Sequence, residues 1–217
     1  MKGGREGRMD WSEIAGELSE KVRTETRSKY FPNNPLRQYL IRRFIETLAD
    51  FLQGDRWDSL LDVGCGEGFA DHYLNRRFPE ISLTGVESDP QALEVARAIN
   101  PSFRYLSGDA LNLPFPDQSF DAVICIEVLE HILEYRKALA ELSRVCSSRC
   151  IISVPAFPWY QVSNFLIGKN WSRLGEHPGH LVRFTRKKLD SDMADFFKDV
   201  RIGFSFPWLI AAAYSFQ

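Results

Sequence analysis

The segment LLDVGCGEGFADHYL, residues 60–74, constrains the fold most strongly. Its apolar beginning is typical of a strand buried on both faces, and a glycine-rich turn then leads into a helical pattern. Glycines in such a turn let the backbone bend sharply and approach a ligand closely. A helix that begins near Gly68 directs its positive end toward that ligand. The segment therefore predicts a first strand and a nucleotide-binding turn.

The spacing of these glycines argues against a dinucleotide such as NAD as the ligand. The dinucleotide pattern G-x-G-x-x-G, counted from Gly64, requires its third glycine at position 69, where this chain has Phe69. An NAD-dependent oxidoreductase is therefore a weaker hypothesis.

Strand and helix patterns alternate after residue 57. Apolar runs typical of strands lie at 58–63, 81–86, 102–107, 120–126 and 149–154, and helical patterns lie at 68–78, 90–98 and 135–145. This alternation predicts an α/β fold with a doubly wound, mostly parallel Rossmann-like sheet and helices on both faces.

The rest of the chain divides around this core. We expect an N-terminal helical cap at 1–52, with a helix at 36–52, and the main domain at 53–217. An aromatic-rich insertion at 155–184 follows the fifth strand, and a helix at 186–197 and a strand at 199–206 come next. The apolar run 204–216 is too short to span a bilayer, so it forms a core strand or a packed helix, or it contacts a lipid. Whether 208–216 supplies a final strand stays open.

Charge and cysteine spacing limit the partners. A formal net charge of −2 argues against RNA, and the four cysteines lack paired zinc-site spacing. With no signal peptide or transmembrane segment recognised, we expect reduced thiols, a cytoplasmic protein, and a monomer or homodimer.

Acidic residues follow the next two predicted strands. Glu87 comes about 20 residues after the glycines, where a carboxylate can accept both hydroxyls of a ribose. Asp109 follows the third strand, where a side-chain acceptor can meet an adenine amino group. Each of these acids alone is equally typical of a helix N-cap.

Taken together, these motifs resemble the class I S-adenosylmethionine-dependent methyltransferases, of the type 11 small-molecule group, over roughly residues 57–154. LLDVGCGEG is similar to their first motif, GVESD to the second, GDALNLPF to the third and SFDAVICIEVLEHI to the fourth. The resemblance implies S-adenosylmethionine as cofactor and S-adenosylhomocysteine as product. The residues implied to bind the cofactor are Asp62, Gly64, Cys65, Gly66, Gly68, Glu87, Ser88, Asp109, Ala110 and Ile126.

The stretch CIEVLEHI, residues 125–132, supplies the catalytic candidates Glu127, Glu130 and His131. Their spacing brings them to one face of a helical turn. It is similar to the metal-binding E-x-x-E-H of ubiquinone-pathway O-methyltransferases and of small-RNA 3′-end methyltransferases. In the latter a further histidine corresponds to His180, whose role His177 could exchange. Three roles stay open: ligation of Mg²⁺ or a similar divalent ion, direct acid–base or orienting work by His131, and a structural role.

Aromatic residues of the insertion suit the wall of an apolar acceptor pocket or a satellite core; they are Phe157, Trp159, Tyr160, Phe165 and Trp171. Tyr30 and Phe31 are candidates to close over the cofactor. The leading hypothesis is methyl transfer to oxygen or carbon of a small-molecule acceptor, including a lipid-linked or isoprenoid one. The alternatives are a metal-assisted RNA ribose methyltransferase and a non-catalytic cofactor-binding regulatory subunit.

Overall fold

The computed structural model describes residues 34–53 and 57–215, together with Ile14, Glu17, Leu18, Glu20 and Lys21. Tyr30 and Phe31 lie outside the described residues. No helix in the described part of the chain combines the length and the apolar character needed to cross a membrane. All four cysteines are buried and form no disulfide.

In the described part of the chain, seven strands form one sheet in the order β3-β2-β1-β4-β5-β7-β6. The strands are β1 (Ser59–Val63), β2 (Ser82–Glu87), β3 (Arg104–Ser107), β4 (Phe120–Ile126), β5 (Cys146–Pro155), β6 (Phe197–Ser205) and β7 (Trp208–Ser215). The first five are parallel, and β7 runs antiparallel to both of its neighbours. The predicted doubly wound, mostly parallel sheet is confirmed.

Helices cover both faces of the sheet. They are α1 (Pro35–Phe51), α2 (Phe69–Arg77), α3 (Pro90–Ile99), α4 (Tyr135–Val145), α5 (Trp159–Leu166) and α6 (Arg186–Ala194). Two of them begin at an Asx-Pro pair, where Asn34 and Asp89 accept hydrogen bonds from the first-turn backbone N–H groups of Arg37 (3.1 Å) and Gln91 (2.9 Å). One apolar core lies between the sheet and α4 and α6, and the other lies between the sheet and α1 and α2.

Several element boundaries differ from the sequence prediction, most of all those of β5, α6 and β6. β5 begins at Cys146, directly after α4, because Cys146 pairs with Phe120 of β4. α6 ends at Ala194, and β6 begins at Phe197, which is buried and pairs with Ser215. Pairing and burial thus extend both strands beyond the most apolar stretch of their sequences.

The C-terminal apolar run, left open by its sequence, forms strand β7 between β5 and β6. Its residues from Leu209 to Ala213 are buried. Because β7 is antiparallel to β5, its first residue, Trp208, pairs with Pro155 at the carboxyl end of β5. The turn between β6 and β7 therefore reaches the edge of the sheet at which the parallel strands end.

The insertion at 155–184 leaves and rejoins the sheet at one point. Ala156 and Phe184 form an isolated parallel bridge, and the backbone N–H of Phe157 donates to the carbonyl of Phe184 at 2.8 Å. Between these ends lie α5 and a short 3₁₀ helix at Trp171–Arg173. The boundary between residues 52 and 53 stays a prediction.

A buried polar network joins the first strand to its neighbours. The buried carboxyl groups of Asp62 in β1 and Asp71 in α2 lie close enough for one to donate to the other once it is protonated. The hydroxyl of Tyr105 in β3 donates to Asp71 Oδ2 at 2.8 Å, and Asn100 Nδ2 donates to the carbonyl oxygen of Gly68 at 2.8 Å. Asp62 Oδ1 and Asp71 Oδ1 have no other donor among the described residues, so a proton between the two carboxyl groups satisfies both.

The network determines which acid is protonated. Burial, followed by the charge of Asp71, raises the pKa of Asp62 well above its ordinary value. Burial also raises the pKa of Asp71, to about 6, although hydrogen bonds from Asp62 and Tyr105 oppose the rise. Asp62 is therefore the protonated donor near neutral pH.

This assignment predicts a pH-dependent difference between the wild type and Asp62→Asn. Folded Asp62 binds its proton more tightly than an unfolded aspartate, whose pKa is about 3.9, so raising the pH above about 4 destabilises the wild type through this group. The amide of Asp62→Asn keeps a donor for Asp71 and has no proton to lose. Between pH 4 and 7 we expect the free energy of unfolding of the wild type to fall relative to Asp62→Asn, by at most about 1.4 kcal/mol per pH unit.

Denaturant unfolding at several pH values measures this difference. Asp58→Asn, at an exposed position beside β1, is the matched control and should give a curve parallel to that of the wild type. A difference between wild type and Asp62→Asn that stays constant from pH 4 to 7 contradicts the assignment.

Candidate active site

A cavity of about 460 Å³ lies at the carboxyl ends of β1, β2 and β4. Nine of the ten residues expected to bind a cofactor line it: Asp62, Gly64, Cys65, Gly66, Glu87, Ser88, Asp109, Ala110 and Ile126. Gly68 is not among the lining residues. The sequence did not single out Val128 and Ile132, which also line the cavity and give it an apolar wall.

The glycine turn beside this cavity depends on two glycines for different reasons. Gly64 has φ 78°, and a Cβ there would lie 2.3 Å from Cγ2 of Val128. Gly68, at the start of α2, has φ 71°, and a Cβ there would lie 2.7 Å from the hydroxyl of Tyr105. The absence of a side chain at Gly64 thus lets the turn approach Val128, which follows β4. The absence of one at Gly68 lets the start of α2 pack against Tyr105 of the buried polar network.

Glu87 is fixed in place at the end of β2. Its Oε2 accepts a hydrogen bond from the backbone N–H of Gly66 at 3.0 Å, and its Oε1 accepts from the N–H groups of Ser88 (2.7 Å) and Asp89 (2.9 Å). The carboxylate therefore joins the end of β2 to the glycine turn. It presents a preorganised acceptor to the cavity.

Cys65 contributes a neutral thiol to the cavity wall. Burial, and then the charges of Asp71, Asp62 and Glu87, raise the pKa of the thiol above its ordinary value. The side chain therefore acts there as a small apolar group.

A second cavity of about 490 Å³ adjoins the first. It lies between α1, α5 and the β6–β7 turn, and its apolar wall includes Leu40, Ile41, Phe44, Ile167 and Trp208. Glu127 and His131 line both cavities. A molecule in one cavity therefore meets a molecule in the other at these two side chains.

Only one of the five insertion aromatics lines this second cavity. Tyr160 does so, whereas Trp159 and Trp171 are exposed and Trp171 stacks on Phe165 with ring centroids 5.4 Å apart. The short α5 turns one face toward the cavity, so neighbouring aromatics point outward. Of the two alternatives left open by the sequence, lining of this cavity holds for Tyr160 and does not hold for Phe157, Trp159, Phe165 and Trp171.

Glu127 is positioned by the C-terminal strand. It has φ 59°, and its Oε2 accepts a hydrogen bond from Trp208 Nε1 at 2.8 Å. The Trp208 ring in turn packs against Phe44 of α1 with centroids 4.7 Å apart. No sequence pattern near residue 127 indicates this partner, which lies 81 positions away.

Glu130, His131 and His180 form a separate cluster. One ligand atom from each lies within 4.8 Å of the other two, whereas Glu127 is not a member. Glu130 is 1% exposed, and its Oε1 lies 3.9 Å from His131 Nε2. The backbone N–H of Leu181 donates to the carbonyl of Glu130 at 2.8 Å, which brings the His180 segment beside the end of β4.

Each histidine of the cluster is oriented by an outer partner. His131 Nδ1 donates to the carbonyl of Gly179 at 2.8 Å, so the neutral ring keeps its lone pair on Nε2. His180 Nδ1 lies 3.3 Å from Glu176 Oε1. Burial, and then the neighbouring His131 and His177, lower the pKa of His180 to about 4, so its ring is neutral at pH 7. Neutral imidazoles with one nitrogen bound to an outer acceptor are suited to metal ligation or to proton transfer.

Comparisons with known proteins match the central part of the chain. Residues 61–154 match the family described as "Methyltransferase domain". The demethylmenaquinone methyltransferase of Deinococcus radiodurans is 38% identical over 103 residues, which are 46% of this chain and 43% of that protein. The fatty-acid O-methyltransferase of Mycolicibacterium smegmatis is 32% identical over 116 residues, which are 52% and 41%. The aligned chain thus spans less than half the length of these relatives.

A solved structure shares the fold over a longer span. A SAM-dependent methyltransferase from Thermotoga maritima superposes with a TM-score of 0.64 at 18% identity, covering 80% of this chain and 89% of that one. The family match lies on the strands and turns that build the first cavity. The chain therefore has the Rossmann-like fold of this methyltransferase structure, and its residues 61–154 match the methyltransferase-domain family.

Proposed function

We propose that this protein transfers the methyl group of S-adenosylmethionine to an oxygen or carbon atom of an apolar small molecule. The observation that carries the proposal is the meeting of the two cavities at Glu127 and His131. The first cavity takes the cofactor, and the second takes the acceptor. The names of the two relatives above refer to a demethylmenaquinone and a fatty acid, both compounds with a long apolar chain, and this supports an acceptor with an apolar part.

In the first cavity the cofactor residues take distinct roles. Glu87 accepts hydrogen bonds from the ribose hydroxyls, with Ser88 beside the adenine and Asp109 and Ala110 at the adenine end. The glycine turn from Gly64 to Gly66 faces the methionine and ribose portion. Val128 and Ile132, on the apolar wall, pack against the adenine ring.

Methyl transfer needs alignment more than activation, since the sulfonium is already a good leaving group. The acceptor atom forms a bond to the methyl carbon while the carbon–sulfur bond breaks and its electron pair passes to sulfur. Positioning of this kind contributes about 7–11 kcal/mol in favourable cases. A hydroxyl acceptor also loses its proton, and His131 Nε2 accepts it because Nδ1 is committed to the carbonyl of Gly179.

A second candidate role for the same side chains is a metal centre. Glu130, His131 and His180 supply one carboxylate and two imidazoles, a donor set that suits Zn²⁺ or Mn²⁺ better than Mg²⁺. The outer contacts to Gly179 and Glu176 resemble those that orient metal-bound histidines. An ion bound there would lower the pKa of an acceptor hydroxyl.

RNA as an acceptor is less well supported by the second cavity. Its wall is largely apolar, and the acids Glu127 and Glu130 lie at the inner end, where the reacting atom would be, so they disfavour the phosphates that flank a ribose hydroxyl there. We therefore keep a small molecule as the proposed acceptor.

His131→Asn tests the methyl-transfer proposal. The asparagine amide can keep the donor to Gly179 but lacks the lone pair of Nε2, so proton removal from a hydroxyl acceptor is lost. We expect kcat for transfer of radiolabelled methyl groups to long-chain alcohols or alkylphenols to fall about 10²- to 10⁴-fold. The Kd for S-adenosylhomocysteine should change less than threefold, which corresponds to less than about 0.7 kcal/mol of binding free energy.

The same methyl-transfer assay supplies the control and the result that would contradict the proposal. Glu134→Ala, an exposed acid just beyond the site, should leave kcat unchanged. Normal turnover by His131→Asn would show that His131 does not accept the proton. If the wild type also transfers no methyl group to any of these acceptors, that result counts against the proposal.

Titration with ions separates the two roles of His131. The metal centre predicts that purified wild-type protein binds one Zn²⁺ or Mn²⁺ per chain in calorimetry, that Glu130→Ala and His180→Ala lose this heat, and that Glu134→Ala keeps it. Mg²⁺ should bind more weakly. If no ion binds, or if Glu130→Ala binds as the wild type does, the metal centre is excluded and proton acceptance by His131 is the role that stands.

A further inference from the structure

Two cationic side chains stand at the rim of the acceptor cavity. Arg37 lies in the first turn of α1, Lys169 follows α5, and both line the cavity. Leu36 and Leu166, which line the same end, are 62% and 77% exposed, so this end opens to solvent. Among the residues that the structure describes, no carboxylate forms an ion pair with either cation.

The positive charges of Arg37 and Lys169 repel each other at the cavity rim. Burial lowers the pKa of the Arg37 guanidinium, and burial followed by the nearby charge of Arg37 lowers the pKa of the Lys169 ammonium. Arg37 is half-buried and Lys169 is exposed, so the free-energy cost comes from the partial dehydration of Arg37 and the repulsion between two like charges. An anionic group bound between them offsets both the desolvation and the mutual repulsion.

Charge changes sign along the cavity. The rim carries Arg37 and Lys169, whereas Glu127 and Glu130 lie at the inner end. An anionic group is therefore attracted to the rim and repelled from the point where the two cavities meet. This asymmetry orients a long acceptor with its anionic group outward.

Helix α1 sets the distance between the two ends. One face of the helix lines the cavity. Counted from Arg37, its members follow at three residues (Leu40), four residues (Ile41) and seven residues (Phe44). The rise from Arg37 to Phe44 is about 10 Å. Phe44 contacts Trp208, and Trp208 donates to Glu127. An apolar segment of about this length thus separates the cations from the inner acids.

We propose that Arg37 and Lys169 form an anion subsite that binds a phosphate or carboxylate group of the acceptor, distinct from the atom that receives the methyl group. The acceptor is then an anionic amphiphile: its charged group lies at the rim, its apolar chain lies along α1, and its reacting atom lies near Glu127 and His131. The inference rests on the proposed function for the identity of the second cavity as the acceptor site.

Binding of short amphiphiles to the full chain tests the subsite without a known substrate. The probes are octyl phosphate, octanoate and 1-octanol, which share one chain and differ in the head group, together with inorganic phosphate. Calorimetry should show octyl phosphate binding at least about tenfold more tightly than 1-octanol, because charge-assisted hydrogen bonds form only with the former. Inorganic phosphate, which lacks the chain, should bind weakly, and octanoate distinguishes a carboxylate-selective from a phosphate-selective subsite.

Variants assign the preference to the two cations. Arg37→Gln and Lys169→Gln should each weaken binding of octyl phosphate about tenfold and leave 1-octanol unaffected. Arg43→Gln is the matched control, since Arg43 lies on the same helix at an exposed position. The proposed subsite is refuted if the wild type binds octyl phosphate and 1-octanol with equal affinity, or if both variants bind octyl phosphate as the wild type does.

Titration of the same samples with S-adenosylhomocysteine separates the two proposals. Charge-dependent amphiphile binding without binding of this cofactor product leaves the subsite standing and refutes the proposed methyl transfer. Cofactor binding without a preference for the anionic probes refutes the subsite alone.

Discussion

The direction of the strands is the constraint on which the site depends. Five parallel strands end at one edge of the sheet, and there they deliver Asp62, Glu87 and Ile126 to one cavity. Strand β7 runs the opposite way, so it begins at that edge and brings Trp208 to Glu127. One reversed strand thus supplies the contact between the cofactor side and the acceptor side.

Charge is distributed unevenly over this edge. The proton between Asp62 and Asp71 removes one negative charge from beneath the glycine turn, and Glu87 accepts the hydrogen bond from the backbone N–H of Gly66. Glu127 and Glu130 collect at the inner end of the acceptor cavity, and Arg37 and Lys169 lie at its rim. The fold therefore presents separate polar groups for a ribose, for the reacting atom and for an anion.

Much of the sheet and the cofactor cavity could be predicted from the sequence. Apolar runs marked the parallel strands because such strands are buried on both faces, and glycine spacing marked the turn because a side chain at Gly64 would overlap Val128. Local signals of this kind do not depend on distant partners. The run at 208–216 stayed ambiguous because an apolar segment of that length fits a central strand and a buried helix equally well.

The acceptor side could not be predicted in the same way. Glu127 departs from the expected helical turn because its left-handed backbone and its bond to Trp208 depend on β7. Composition left the insertion aromatics between a pocket wall and a satellite core, and the orientation of α5 leaves Trp159 and Phe165 outside the cavity. Arg37 drew no attention as one of many surface charges, and only its place with Lys169 on the wall of one cavity distinguishes it.

The most direct test of the account is a calorimetric titration of the purified protein with S-adenosylmethionine, S-adenosylhomocysteine and NAD. The account predicts one site that binds the first two and not NAD, and about a tenfold to hundredfold loss of affinity in Glu87→Ala, as expected when hydrogen bonds to a charged group are removed. Glu87→Asp should retain most of the affinity, and Glu94→Ala, at an exposed position of α3, should bind as the wild type does. Binding of NAD in place of S-adenosylmethionine, or an affinity indifferent to Glu87→Ala, would contradict the account.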